Sequence, residues 1–255
     1  MRNCVFYLVH VVCKSSANIF GLFSKTIKCI MNMINLKQNR GVIMELFFIR
    51  HGQSEANLQG IIQGHAEYPL SSLGKKQASL VGQYLSSLKI HKLYSSDLNR
   101  ALQTAEAIAD HHNLTVEQWS KIKEIGLGPF EGMTRIGITE KFPHLPHQSL
   151  LTSGVKGTES IEAITKRCES VWKHLVSNHQ QETVILVSHG GFISIFLMYL
   201  MTKQQWASFE RPFIIGNTSI TKVEIDDTEM VKFHYINKTT HLEEKEESLT
   251  STVLY

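Results

Sequence analysis

The chain has 255 residues, enough for one sizeable α/β domain. Its 42% hydrophobic content is that of a soluble globular protein, and a net charge of +3 is too weak a bias to imply a nucleic-acid partner. The four cysteines, Cys4, Cys13, Cys29 and Cys168, form no CxxC pair, which excludes a readable zinc or disulfide framework and fits a reducing cytosol.

Residues 1–43 differ from the rest. The apolar run Val5–Cys13 follows Arg2 as in a signal peptide, but it is short, contains His10 and has no clean cleavage site. Residues 19–34 have the make-up of a basic amphipathic segment that can rest on a membrane surface, with Lys25 and Lys28 beside Phe20, Phe23 and Ile27. Against that, Met44 is followed at once by a strand-like run. Residues 1–43 are therefore expected to be an extension, disordered or a mis-annotated start, with a membrane or targeting role as the alternative. The domain is expected over 44–240 and a charged, frayed tail over 241–255.

From Met44 onward, Leu46–Arg50 reads as a strand buried on both faces. Ser72–Leu88 has helical spacing, with Leu73, Ala78, Leu80, Val81 and Leu85 apolar. Lys92–Ser95 is a short strand, and Leu98–His111 a second helix with Asp97 as its N-cap. Residues 113–132 read as a strand and a Gly-rich loop, and 143–157 as loop. Glu159–Asn178 is helical, with Cys168 on its apolar face as a buried structural cysteine. Thr183–Ser188 is a second buried strand, Gly190–Met201 an apolar helix, and Ile220–Ile225 with Met230–Ile236 a hairpin. Strands alternating with helices argue for a single α/β domain around a mostly parallel sheet. The glycines and polar residues of Ser188–Gly191 interrupt the one long apolar stretch, so no stable membrane span is expected.

Two strands end in His-Gly: Arg50-His51-Gly52 and Ser188-His189-Gly190-Gly191. Open α/β sheets bind ligands at the carboxyl ends of their strands, so both histidines can reach one site. The glycines let backbone N–H groups approach an anion, and a helix N-terminus favours negative charge there.

Arg50-His51-Gly52 with Ser54 resembles the signature of the histidine phosphatase superfamily, which includes the cofactor-dependent phosphoglycerate mutases. Other segments agree in order: Gln63-Gly64, Pro69-Leu70-Ser71, Tyr94-Ser95-Ser96-Asp97-Leu98-Asn99-Arg100-Ala101, Glu124-Ile125 with Gly128 and Phe130-Glu131-Gly132, and Gly157-Thr158-Glu159-Ser160. The resemblance covers about residues 44–225 and implies a three-layer α/β/α domain with a mixed, mainly parallel sheet. It implies His51 as nucleophile, His189 as donor to the transferring phosphoryl oxygens, and Glu124 as general acid and then base, with Glu131 the rival carboxylate. Arg50 and Arg100 are suited to grip phosphate with planar, forked donors and to disfavour protonation of His51. The resemblance also implies Asn57, Gln63 and the backbone of Gly190 as secondary substrate contacts; loop-stabilising amides are the alternative for the first two. No metal or other cofactor is expected: His144 and His147 lack a third ligand at suitable spacing, and the arginines do the work of a cation.

The expected activity is hydrolysis of small phosphomonoesters through a phosphohistidine, in the cytoplasm, with a homodimer as the common assembly. Two alternatives remain: a phosphoglycerate mutase, and an inactive member that binds phospho-ligands. Typical mutases carry Thr-Gly-Trp where this chain has Ile62-Gln63-Gly64, and a longer basic insertion after the acid. Here Gly132–Gly157 is short, with Arg135, Lys141 and Lys156 its only basic residues, which favours access by water. Broad-specificity members usually have Trp at the positions of Phe130 and Ala56, so a pocket of different shape is expected.

Overall fold

A computed structural model describes residues 42–145, 150 and 153–242. The expectations for residues 1–41, for His147 and for the tail beyond Leu242 lie outside the described residues.

The sheet is built from β1 (Val42–Arg50), β2 (Lys92–Ser95), β3 (Glu117–Gln118), β4 (Glu182–Ser188), β5 (Ile220–Asp226) and β6 (Val231–Lys238), in the spatial order β3-β2-β4-β1-β5-β6. β3, β2, β4 and β1 pair in parallel, while β5 runs antiparallel to both β1 and β6. The sheet is thus mixed and mainly parallel.

Alternating side chains explain the continuous apolar runs. On β1, Leu46 and Phe48 enter one core with Val184 and Leu186 of β4, while Phe47 and Ile49 enter a second core with Ile185 and Val187. Helices α2 (Ser72–Leu85) and α3 (Asn99–Ala109) supply Val81, Leu85, Ala101, Ala105 and Ile108 to the second core. Helices α5 (Ile161–Asn178) and α6 (Gly190–Thr202) supply Ile164, Cys168, Phe192 and Phe196 to the first. The result is three layers. A side chain such as Phe196, fully buried, contributes roughly 1.5–3 kcal/mol of hydrophobic stabilisation. Two short helices complete the fold: α1 (Glu55–Leu58) and α4 (Arg135–Lys141).

Some local expectations are corrected. The N-cap of α3 is Leu98, with no side-chain cap, because Asp97 instead pairs with Lys123 at 3.0 Å. In α2, Leu73 and Leu80 are half-buried, while Gly74 and Gln77 face inward. The Gln77 amide oxygen is spent on the backbone N–H of Gln53 at 2.8 Å, which makes an inward polar residue affordable. Cys168 is buried, and burial pushes its thiol up to about 12, as suits a structural cysteine. His241 and Leu242, assigned to the tail by sequence, are buried; Thr218 and the His241 ring are hydrogen-bonded at 3.1 Å.

Candidate active site

Three neighbouring parallel strands, β2, β4 and β1, end on one edge of the sheet. The backbone N–H of His51 donates to Ser188 O at 2.9 Å, and that of Ser96 to Val187 O at 2.9 Å. This register brings Arg50, His51, Ser96 and His189 to one edge from distant points in the sequence. The two imidazoles lie with centroids 5.0 Å apart.

The His51 ring is 1% exposed and has its Nδ1 2.7 Å from Gly52 O. A carbonyl oxygen only accepts, so Nδ1 carries the ring proton and Nε2 keeps a lone pair. Burial, then Arg100, then Arg50 hold the His51 pKa well below its ordinary 6.5. The ring is therefore neutral near neutral pH, as a nucleophile must be. His189 is held neutral in the same way, by burial first and then by Arg100, His51, Arg50 and Arg167. Its Nε2 lies 2.8 Å from Ser96 Oγ, and its Nδ1 is buried with no hydrogen-bond partner among the described residues.

Both arginines are buried and anchored through backbone carbonyls. Arg50 donates to Ile215 O at 2.6 Å. Arg100 donates to Gly64 O at 2.8 Å and Ala66 O at 2.9 Å, which ties it to the turn that carries Gln63. Two buried guanidinium groups near a neutral imidazole concentrate positive charge that favours an anionic ligand.

Glu124 is fully buried in the loop between Ile122 and Gly128, against the first turn of α6, the helix that follows His189. Its Oε1 accepts from Phe192 N at 2.9 Å and Ile125 N at 2.9 Å, and its Oε2 from Gly191 N at 3.2 Å. This contact explains the doubled glycine after His189. A Cβ on Gly191 would lie 2.6 Å from Glu124 Oε1, and one on Gly190 would crowd the Arg50 guanidinium at 3.3 Å. Glu131 is used differently: its Oε1 accepts from His65 N, Leu127 N and Gly128 N at 3.0, 2.8 and 3.2 Å, the pattern of a loop anchor.

Asn57 and Gln63 act as loop-stabilising amides through their oxygens. Asn57 completes a capping box on α1, its Oδ1 accepting from Ser54 N at 3.1 Å. Gln63 Oε1 accepts from Ser54 Oγ at 2.8 Å. Their amide nitrogens are buried without a partner among the described residues, which leaves two donors for an anion.

Other residues were not singled out by sequence. Asn217 Nδ2 donates to His51 O at 3.1 Å and approaches Asn57 Oδ1 at 3.4 Å. Its neighbour Thr218 holds φ of 51°, a rare conformation for a β-branched residue, fixed by donation from its N–H to Arg50 O at 3.0 Å. Arg167 pairs with Glu159 at 2.7 Å and donates to Lys123 O at 2.7 Å, holding the segment that ends in Glu124. Phe130 and Ala56 are fully buried, and Phe130 packs edge-on against Phe142. No cluster of three metal-ligating side chains occurs among the described residues.

Comparison with known proteins agrees with this geometry. Residues 46–238 match the family model of the histidine phosphatase superfamily, branch 1. The chain is 33% identical to the broad-specificity phosphatase YOR283W of Saccharomyces cerevisiae over 207 residues, 78% of this chain and 88% of that protein. It is 27% identical to the probable phosphoglycerate mutase GpmB of Salmonella choleraesuis, over 77% of this chain and 92% of that one. A solved phosphoserine phosphatase of Entamoeba histolytica, in complex with 3-phosphoglyceric acid, superposes with a TM-score of 0.64 at 30% identity, over 78% of this chain and 100% of that one.

Proposed function

The chain belongs to the histidine phosphatase superfamily, and on that premise we propose that it hydrolyses small phosphomonoesters through a phosphohistidine formed at His51. The observation that carries this reading is the neutral His51 ring, with its Nδ1–H bonded to Gly52 O, its Nε2 lone pair left for attack, and two buried arginines acting on it electrostatically.

The steps follow from the residues. Arg50 and Arg100 bind the phosphate dianion and lower its repulsion of a nucleophile. His51 Nε2 attacks phosphorus in line as the ester P–O bond breaks, and Glu124 gives a proton to the departing alkoxide. Water then attacks the phosphohistidine, the P–N bond breaks, and the Glu124 carboxylate takes the proton of that water. His189, Asn57 and Gln63 donate to the phosphoryl oxygens as charge builds on them. The backbone N–H of Gly190 lies at the N-terminus of α6, where it favours the same charge.

The substrates share an alkyl phosphate. The Entamoeba relative is named for phosphoserine and was solved with 3-phosphoglyceric acid, both small phosphorylated acids, which supports small metabolites as the class here. Metal independence belongs to the same proposal, because two guanidinium groups already supply the positive charge at phosphorus. A cytoplasmic location also belongs to it. The buried Cys168 thiol suits a reducing compartment, and no helix among the described residues is long and apolar enough to cross a membrane.

The test is incubation with phosphoserine, 3-phosphoglycerate and other alkyl phosphates in EDTA, measuring free phosphate and phosphoglycerate isomerisation together. Phosphate release without isomerisation is expected. Dominant isomerisation would make the chain a mutase, and neither activity would make it a binding module.

A further inference from the structure

We propose that Ser96 is a positioning residue that fixes His189 as its Nδ1–H tautomer, so that His189 presents a proton to the transferring phosphoryl group. The proposal rests on the phosphatase reading above.

Ser96 lies just past the end of β2, pinned by its backbone N–H to Val187 O at 2.9 Å. Its hydroxyl is fully buried and meets two groups. Leu98 N–H donates to Oγ at 3.3 Å, and His189 Nε2 lies 2.8 Å from the same oxygen. With Leu98 N–H on one lone pair, the hydroxyl proton is free to turn to the Nε2 lone pair. The ring proton of His189 is then on Nδ1, the buried nitrogen with no partner among the described residues.

The tautomer matters because the ring is neutral. A protonated imidazole would donate from both nitrogens, whereas a neutral one donates from one and repels an anion with the other. Burial and the nearby arginines keep His189 uncharged, so a partner must choose which nitrogen holds the proton. His51 solves the reverse problem. Gly52 O fixes the proton on its Nδ1 and leaves a lone pair on Nε2. Two neutral rings 5.0 Å apart are thereby assigned opposite tasks by the groups behind them, one to attack and one to donate.

The test uses the full chain labelled with ¹⁵N in histidine, with His189 assigned by loss of its signals in His189→Asn. Long-range ¹⁵N–¹H correlation spectra read the tautomer without turnover. The wild-type ring is expected as Nδ1–H. In Ser96→Ala it shifts toward Nε2–H, and kcat falls roughly 10- to 100-fold, the usual scale for losing the partner behind a functional histidine. KM stays within about threefold, and Ser96→Thr, which keeps the hydroxyl, restores the tautomer and most of kcat. An Nε2–H ring in the wild type would overturn the proposal even if Ser96→Ala fails to fold. So would a folded Ser96→Ala with unchanged kcat and tautomer. An Nδ1–H ring in a protein without phosphatase activity would instead overturn the proposed function, leaving the tautomer assignment intact.

Discussion

At the scale of single residues, chemistry is divided by hydrogen bonding more than by residue type. Glu124 and Glu131 are both carboxylates on one loop region and both accept three backbone N–H groups, yet those on Glu131 come from His65, Leu127 and Gly128, whereas two of those on Glu124 come from Gly191 and Phe192 on the first turn of the helix capped by His189. Their separation predicts a leaving-group test. Glu124→Gln should lower kcat/KM for an alkyl phosphate by roughly 10²- to 10⁴-fold, the range of general acid catalysis. An aryl phosphate, whose leaving group needs little protonation, should lose far less, because kcat/KM reports formation of the phosphohistidine. Equal losses on both substrates would move the acid role away from Glu124. The Arg50-His51 end of the site was legible in the sequence because Arg50-His51-Gly52 is contiguous. Asn217 was not, since its contact with His51 O spans 166 residues and an Asn before a strand reads as turn chemistry.

At the scale of elements, the site depends on the junction between β4 and α6. His189 caps α6, Gly190 makes room for Arg50, and Gly191 makes room for Glu124. Gly191→Ala should therefore displace Glu124 and lower kcat by about 10²-fold, the cost of misplacing a catalytic group by roughly an ångström. Folding should survive, because α6 is otherwise an ordinary buried helix; circular dichroism beside the assay separates the two effects. An unchanged kcat would mean that the Glu124 carboxylate can move away without loss. Strand and helix order was readable from periodicity, but finer features were not. Asp97 looked like a helix cap by local pattern, whereas its partner Lys123 belongs to another segment. Leu73 and Leu80 looked like core by composition, but Gly74 and Gln77 take the inward face because the loop after His51 passes there. Local propensity yields to tertiary contacts of this kind.

At the scale of the whole molecule, three buried histidines are held neutral in the folded state, two of them in the site. Burial lowers His51 and His189 well below 6.5, and burial with Lys238 lowers His241 to about 4. Their folded pKa values lie below the unfolded one, so the unfolded chain binds more protons between the two. Stability is then fully present above pH 6.5 and is lost as pH falls toward the folded values. The melting temperature should drop as pH falls from about 6.5 to about 4, and His241→Gln should flatten part of that slope. A slope unchanged in His241→Gln would show that His241 titrates alike in both states.

If phosphorus passes through His51, it can be trapped there. Brief reaction of the full chain with a phosphomonoester, alkaline quench and mass spectrometry of the peptides should find an acid-labile phosphate on the peptide that carries His51, absent in His51→Ala together with turnover. Phosphate on another residue, or turnover surviving in His51→Ala, would contradict passage through His51.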